Sequence, residues 1–149
     1  MLAAIRPDDW DLPLLVHVAG AMLLVGAVVV SAAMMGVALR RGDGSAVLTR
    51  LALRSLLLGV IPSYVVMRGG AEWIASKESV PDDASWVGLG YSISDGGLLL
   101  ALIATVLAWR ATRRPDGDPG WPLRAAAILA TLLLVGYVVA IWAMTTKPS

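Results

Sequence analysis

The chain reads as an all-α, polytopic membrane protein: a four-transmembrane-helix up-down bundle, one domain spanning residues 1–149, with both termini outside. Three observations predict this class. Hydrophobic residues make up 58% of the chain and charged residues 15%, with a mean hydropathy of +0.75. A water-soluble domain carries roughly a quarter charged residues. The apolar residues also fall into runs long enough to cross ~30 Å of hydrocarbon, which takes about 20 residues at ~1.5 Å rise. Finally, arginines gather in alternate connections between those runs.

The first predicted span, 12–39, contains His17 as its one potentially charged residue. Its leading segment is acidic, with Asp8, Asp9 and Asp11. Its apolar run far exceeds the ~7–15 residues of a secretory h-region. It is expected to stay as an anchor. The second span, 55–76, is less simple, because only 13 residues separate Arg54 from Arg68. Reaching Ser76 gives a sufficient length and places Arg68 and Glu72 inside the apolar zone. A re-entrant segment would leave an odd number of crossings. Pro62 removes a backbone donor and predicts a kink around Leu58 to Pro62. The third span, 85–109, contains Asp95, and the fourth, 124–146, has no ionisable group after Arg124 at its start except Tyr137.

Lysine and arginine in short connections resist translocation and so set orientation. Arg40, Arg41, Arg50 and Arg54 flank the first connection, and Arg110, Arg113, Arg114 and Arg124 the third, which accounts for eight of the twelve basic residues. Loops one and three are therefore expected in the cytoplasm, with loop two and both tails outside. Trp10, Trp73, Trp86 and Trp142 fall near the outer ends, and Trp109 and Trp121 near the inner ends, as interfacial belts require. The two arginine-rich turns share the pattern A-x-R-R-x-D-G at Ala38 to Gly44 and Ala111 to Gly117. A hairpin duplication would leave this trace, and so would convergence on positive charge plus turn formers. Small residues at Ala32/Gly36 and Gly136/Ala140 are candidate helix contacts.

Composition excludes several functions. A net charge of +1 without a basic stripe argues against nucleic-acid binding. Zero cysteines rule out disulfide frameworks, thiolate zinc sites, covalent c-type haem and cysteine nucleophiles. Short loops leave no soluble domain for an active site. Ser92 and Ser94 lie beside Asp95 without a histidine to orient, so enzymatic chemistry ranks last. Met22, Met34, Met35, Met67 and Met144 lie at scattered depths, as packing residues would, and no metal or cofactor is expected.

What remains is polar residues inside the bilayer, which cost at least ~2.5–3.5 kcal/mol each on insertion scales and usually face a partner or a cavity. Arg68 lies ~12 Å below the outer end of its span, Asp95 and Tyr137 ~13 Å, and His17 nearer ~8 Å. Tyr64, Arg68 and Glu72 recur at i+4 spacing and share one face, and Tyr91 and Asp95 share another, flanked by Gly88 and Ser92. This predicts an Arg68–Asp95 pair between spans two and three, with Glu72, His17 and Tyr137 around it. One arginine would then meet two carboxylates, which makes the cluster a candidate proton or ligand site. The plainer reading is an ion pair with an interfacial acid beside it.

His17-Val18-Ala19-Gly20-Ala21 followed by Gly26 resembles the opening helix of bacterial four-helix integral membrane proteins similar to the copper-resistance D and cytochrome b561-like proteins. The resemblance implies a bacterial cytoplasmic-membrane protein. The haem-binding relatives carry further helix histidines that this chain lacks, so haem is not carried over. Three functions are compatible with these residues. The first is an accessory or structural membrane component, either a homo-oligomer or a subunit of a larger complex. The second is an oligomeric proton- or cation-coupled carrier or channel. The third is a redox protein with haem or copper. Because the chain has no native cysteine, single introduced cysteines report topology directly. Positions in 1–10 and 147–149 should react with an impermeant maleimide from outside, and positions in 42–44 only after permeabilisation.

Overall fold

The computed structural model describes residues 11–41, 45–77, 85–114 and 120–146. Four helices fill these segments: α1 (Asp11–Arg40), α2 (Ser45–Lys77), α3 (Ser85–Thr112) and α4 (Gly120–Thr146). All four are long and apolar enough to cross a membrane, and no strand occurs among the described residues. Their exposed surface is largely Leu, Val, Ile and Trp. A helix apolar all round suits a lipid surround or a deep core, and here the apolar residues lie on the outside. Asp11 in the first turn of α1 and Arg40 in its last match the helix dipole. Pro13 and Pro122 sit in first turns, where a missing N–H leaves no intrahelical bond unmade. Gly120 starts α4 at φ +57°, a conformation that favours glycine.

Successive helices run antiparallel. α1 packs on α2 and α4, and α3 packs on α4 and α2, which closes a ring. The seam is built from small residues at steps of three and four. Gly97, Ala101, Ala104, Ala108 and Ala111 are buried on α3, facing Leu123, Ala126, Ala130, Leu133 and Tyr137 on α4. That alternation averages ~3.5 residues and keeps one stripe turned to the neighbour. Hydroxyls in the core bond back to their own helix: Ser31 Oγ to Ala27 O (2.7 Å), Thr49 Oγ1 to Ser45 O (2.8 Å) and Thr105 Oγ1 to Ala101 O (2.7 Å). No polar hydrogen in these three is left unmet.

α2 departs from the expected span at both its start and its middle. It begins at Ser45 instead of residue 55. Its first turns are amphipathic, with Ser45, Thr49 and Ala52 buried and Arg50 and Arg54 exposed. A helix does not end where its apolar run ends. Farther along, Ser45–Ser55 and Ile61–Lys77 are joined by a π-helical turn at Leu56–Val60, where Ile61 N–H bonds to Leu56 O. Two causes meet there. Pro62 supplies no N–H to the preceding turn, so a wider ring costs less at that point. In addition, Ala52, Leu56, Val60 and Tyr64 are buried at successive steps of four. In an α-helix each such step overshoots a full turn by roughly 40°, and a wider turn restores the stripe to the core.

Glycine fixes how closely α1 and α2 approach. A Cβ on Gly20 would lie 2.5 Å from Met67 N, and one on Gly70 would lie 2.6 Å from His17 N. A Cβ on Gly59 would lie 2.9 Å from Ala27 Cβ, in the same antiparallel register. The crossing is therefore backbone on backbone, and Gly20 and Gly70 allow it. Ala32/Gly36 do not form such a contact: they line a groove of about 500 Å³ between α1 and α4, and a Cβ on Gly36 would meet nothing within 4 Å. A Cβ added to Gly136 would make only an ordinary contact, 3.7 Å from Ile93 Cγ2. The arginine-rich turns lie largely outside the described residues (42–44 and 115–119). Gly70→Val should lower unfolding stability in detergent by about 2–3 kcal/mol through overpacking. Gly26→Ala, at a position open on all sides, should be neutral or stabilising by up to about 1 kcal/mol.

Candidate functional site: a polar crossing between α2 and α3

Four-residue spacing places Tyr64, Arg68 and Glu72 on one flank of α2, facing α3, while Met67 and Gly70 face α1. Asp95 of α3 is the common acceptor. Tyr64 Oη donates to Asp95 Oδ1 at 3.1 Å, and Arg68 Nε lies 3.4 Å from the same oxygen. Arg68 Nη1 donates to Glu72 Oε1 within α2. The guanidinium carbon stands 4.2 Å from the ring centroid of Tyr91, in cation–π range. The predicted Arg68–Asp95 pair is thus present, and five residues come together: Tyr64, Arg68, Glu72, Tyr91 and Asp95.

Exposure is uneven across this group. Tyr64 is buried, and the Arg68 side chain is 26% exposed, but Glu72 and Asp95 are exposed at 58% and 60%. The pair is therefore reachable from one side of the bundle. One guanidinium against two ionised carboxylates leaves one surplus negative charge. Asp95 lies ten residues into α3, or ~15 Å from its start, in a helix ~42 Å long. A partly uncovered charge at that depth needs a partner, a proton or water.

The other two predicted residues stand apart. His17 Nδ1 lies 2.9 Å from Met67 O, on the α1 side of α2. A carbonyl can only accept, so Nδ1 carries the hydrogen, and in the neutral ring Nε2 holds the lone pair. His17 thus ties α1 to α2 at the glycine crossing and does not join the Arg68 group. Tyr137 reaches from α4 toward Gly97, where an added Cβ would come within 3.0 Å of its hydroxyl. That hydroxyl is buried without a hydrogen-bond partner among the described residues, and so is Ser94 Oγ. In the sequence Ser94, next to Asp95, stands out only as a possible nucleophile. Its burial depends on the rotation of α3, which spacing alone does not set.

Comparison with protein-family models, with curated proteins and with solved structures finds no match for this chain. The site is read from its geometry alone. Among the described residues, no group of three or more His, Cys, Asp or Glu side chains is placed to hold a metal ion. No serine among the described residues hydrogen-bonds to His17, whose Nδ1 meets Met67 O. What the arrangement offers is recognition of positive charge: two reachable carboxylate edges held in place by an arginine and two tyrosines.

Removing Arg68 alone strands both carboxylates, whereas removing Asp95 as well relieves half of that repulsion. Arg68→Leu should therefore destabilise the protein more than Arg68→Leu/Asp95→Asn does, by about 1 kcal/mol in detergent unfolding. Equal losses would show that the two side chains are not coupled.

Proposed function

We propose that this chain is a small multi-pass integral membrane protein that acts as an accessory or structural component of a membrane assembly. In this reading its tails lie outside a bacterial cytoplasmic membrane, and the Arg68 cluster occupies the outer half of the bundle. One observation carries the proposal: Asp95, 60% exposed, sits well inside an apolar helix on the outer surface of the bundle. A charge there is stable in lipid only when something covers it. Two further observations support the reading. The loops are short, and among the described residues no group of three or more His, Cys, Asp or Glu side chains is placed to hold a metal ion.

A second reading, an oligomeric proton- or cation-coupled carrier, is favoured by the surplus carboxylate charge and by the unpartnered Ser94 Oγ and Tyr137 Oη. The two separate experimentally. Extraction of tagged protein from native membranes in mild detergent should give a particle of fixed stoichiometry, larger than the 15.6 kDa chain in its micelle. Purified protein in proteoliposomes should show no proton or cation flux above that of empty vesicles. A lone chain with flux that Asp95→Asn abolishes would replace the accessory role with transport.

A further inference from the structure

The exposed surface beside Asp95 differs from the rest of the bundle. Elsewhere the outward positions are mostly Leu, Val, Ile and Trp. On α3 the residues flanking Asp95 are Gly88, Ser92 and Gly96, all exposed and four apart. Gly69 on α2, next to Arg68, is exposed as well. A Cβ added to Gly69, Gly88 or Gly96 would meet nothing within 4 Å. These glycines therefore do not serve the internal packing, in contrast to Gly20 and Gly70. Small residues at four-residue spacing let a second helix approach until backbones touch. The small-residue track and the carboxylates share one face, and they are independent features.

We infer that this α2/α3 face docks a transmembrane helix of another protein that carries a lysine or arginine at the depth of Asp95 and Glu72. The inference rests on the accessory-component reading and adds the chemistry of the partner. Charge selects the occupant. Arg68 already meets Asp95, Glu72 and the Tyr91 ring, and two ionised carboxylates leave one negative charge unanswered. A basic side chain answers it. A second copy of this chain does not, because a two-fold axis along the glycine track would bring two surplus negative clusters together, and like charges at a desolvated contact oppose binding. An uncharged helix fits the track but leaves the carboxylates without a counter-charge.

The test uses the full chain, labelled with a donor fluorophore on an added carboxyl-terminal cysteine and reconstituted in phosphatidylcholine vesicles. The probes are three acceptor-labelled Leu/Ala transmembrane peptides, identical except for one position ~13 Å from an end, which is Lys, Leu or Glu. Energy transfer should show the lysine peptide binding at least about tenfold more tightly than the leucine peptide, and the glutamate peptide more weakly than either. Glu72→Gln keeps the Arg68–Asp95 pair, cancels the surplus charge and should bring the lysine preference to within about twofold. Glu72→Gln/Asp95→Asn leaves the Arg68 charge unanswered and should reverse the order, so that the glutamate peptide binds more tightly than the lysine peptide. Gly96→Leu, at a position where an added Cβ meets nothing within 4 Å, should weaken binding of the lysine and leucine peptides alike. Equal binding of those two peptides, or no binding of any, overturns the basic-partner inference. So does energy transfer between two copies of the chain at high lipid dilution, which would make a second copy the occupant. The accessory role itself falls separately, on a lone chain from native membranes.

Discussion

A guanidinium placed well inside an apolar helix has to find its counter-charges from the protein around it, and much of the geometry on the α2/α3 side serves that need. Arg68 lies nine residues from the end of α2, and its side chain is largely covered by the groups around it. It is held by a carboxylate one turn along its own helix, a second carboxylate across the interface and a tyrosine ring. Tyr64 fastens the shared acceptor from below. Each contact limits how far α2 and α3 can rotate or slide, because any shift that separates Arg68 from Asp95 strands charge in a low-dielectric setting.

The placement of Arg68 depends in turn on how α2 meets α1. Gly20 and Gly70 bring the two backbones together, and the His17–Met67 hydrogen bond fixes the register at that crossing. The π-helical turn ahead of Pro62 sets the rotation of the Ile61–Lys77 segment relative to Ser45–Ser55. One extra residue in a turn moves every later side chain around the axis. With it, Tyr64 falls in line with the core stripe and Arg68 and Glu72 turn toward α3. The helix that carries the charges is thus located by glycine contacts on one side and by an irregular turn below.

Much of the site was legible in the sequence because its logic is one-dimensional. The i+4 spacing of Tyr64, Arg68 and Glu72, and the depths of Arg68 and Asp95, follow from helical rise alone. Those quantities paired Arg68 with Asp95 across neighbouring antiparallel helices. His17 was harder. It lies in the same half of the bundle, but depth does not say which flank of α2 a neighbour from α1 will touch, and it meets Met67 on the far side. The glycines divide in the same manner. Gly20 and Gly36 are equally plausible contact residues in the linear chain, yet Gly20 meets backbone while Gly36 faces open space.

By itself the sequence determined that four helices of spanning length exist, where charges lie along each, and which residues share a helical face. These are local properties, set by hydropathy and by a repeat of ~3.6 residues. The tertiary structure decided which faces meet, which glycines are contacts, and that the carboxylates of Glu72 and Asp95 are turned outward beside an open small-residue track. Those outcomes depend on rotation about each helix axis. In a helix that is apolar on every side, composition exerts little torque, and the angle is set by close packing and by the few polar groups that must find one another.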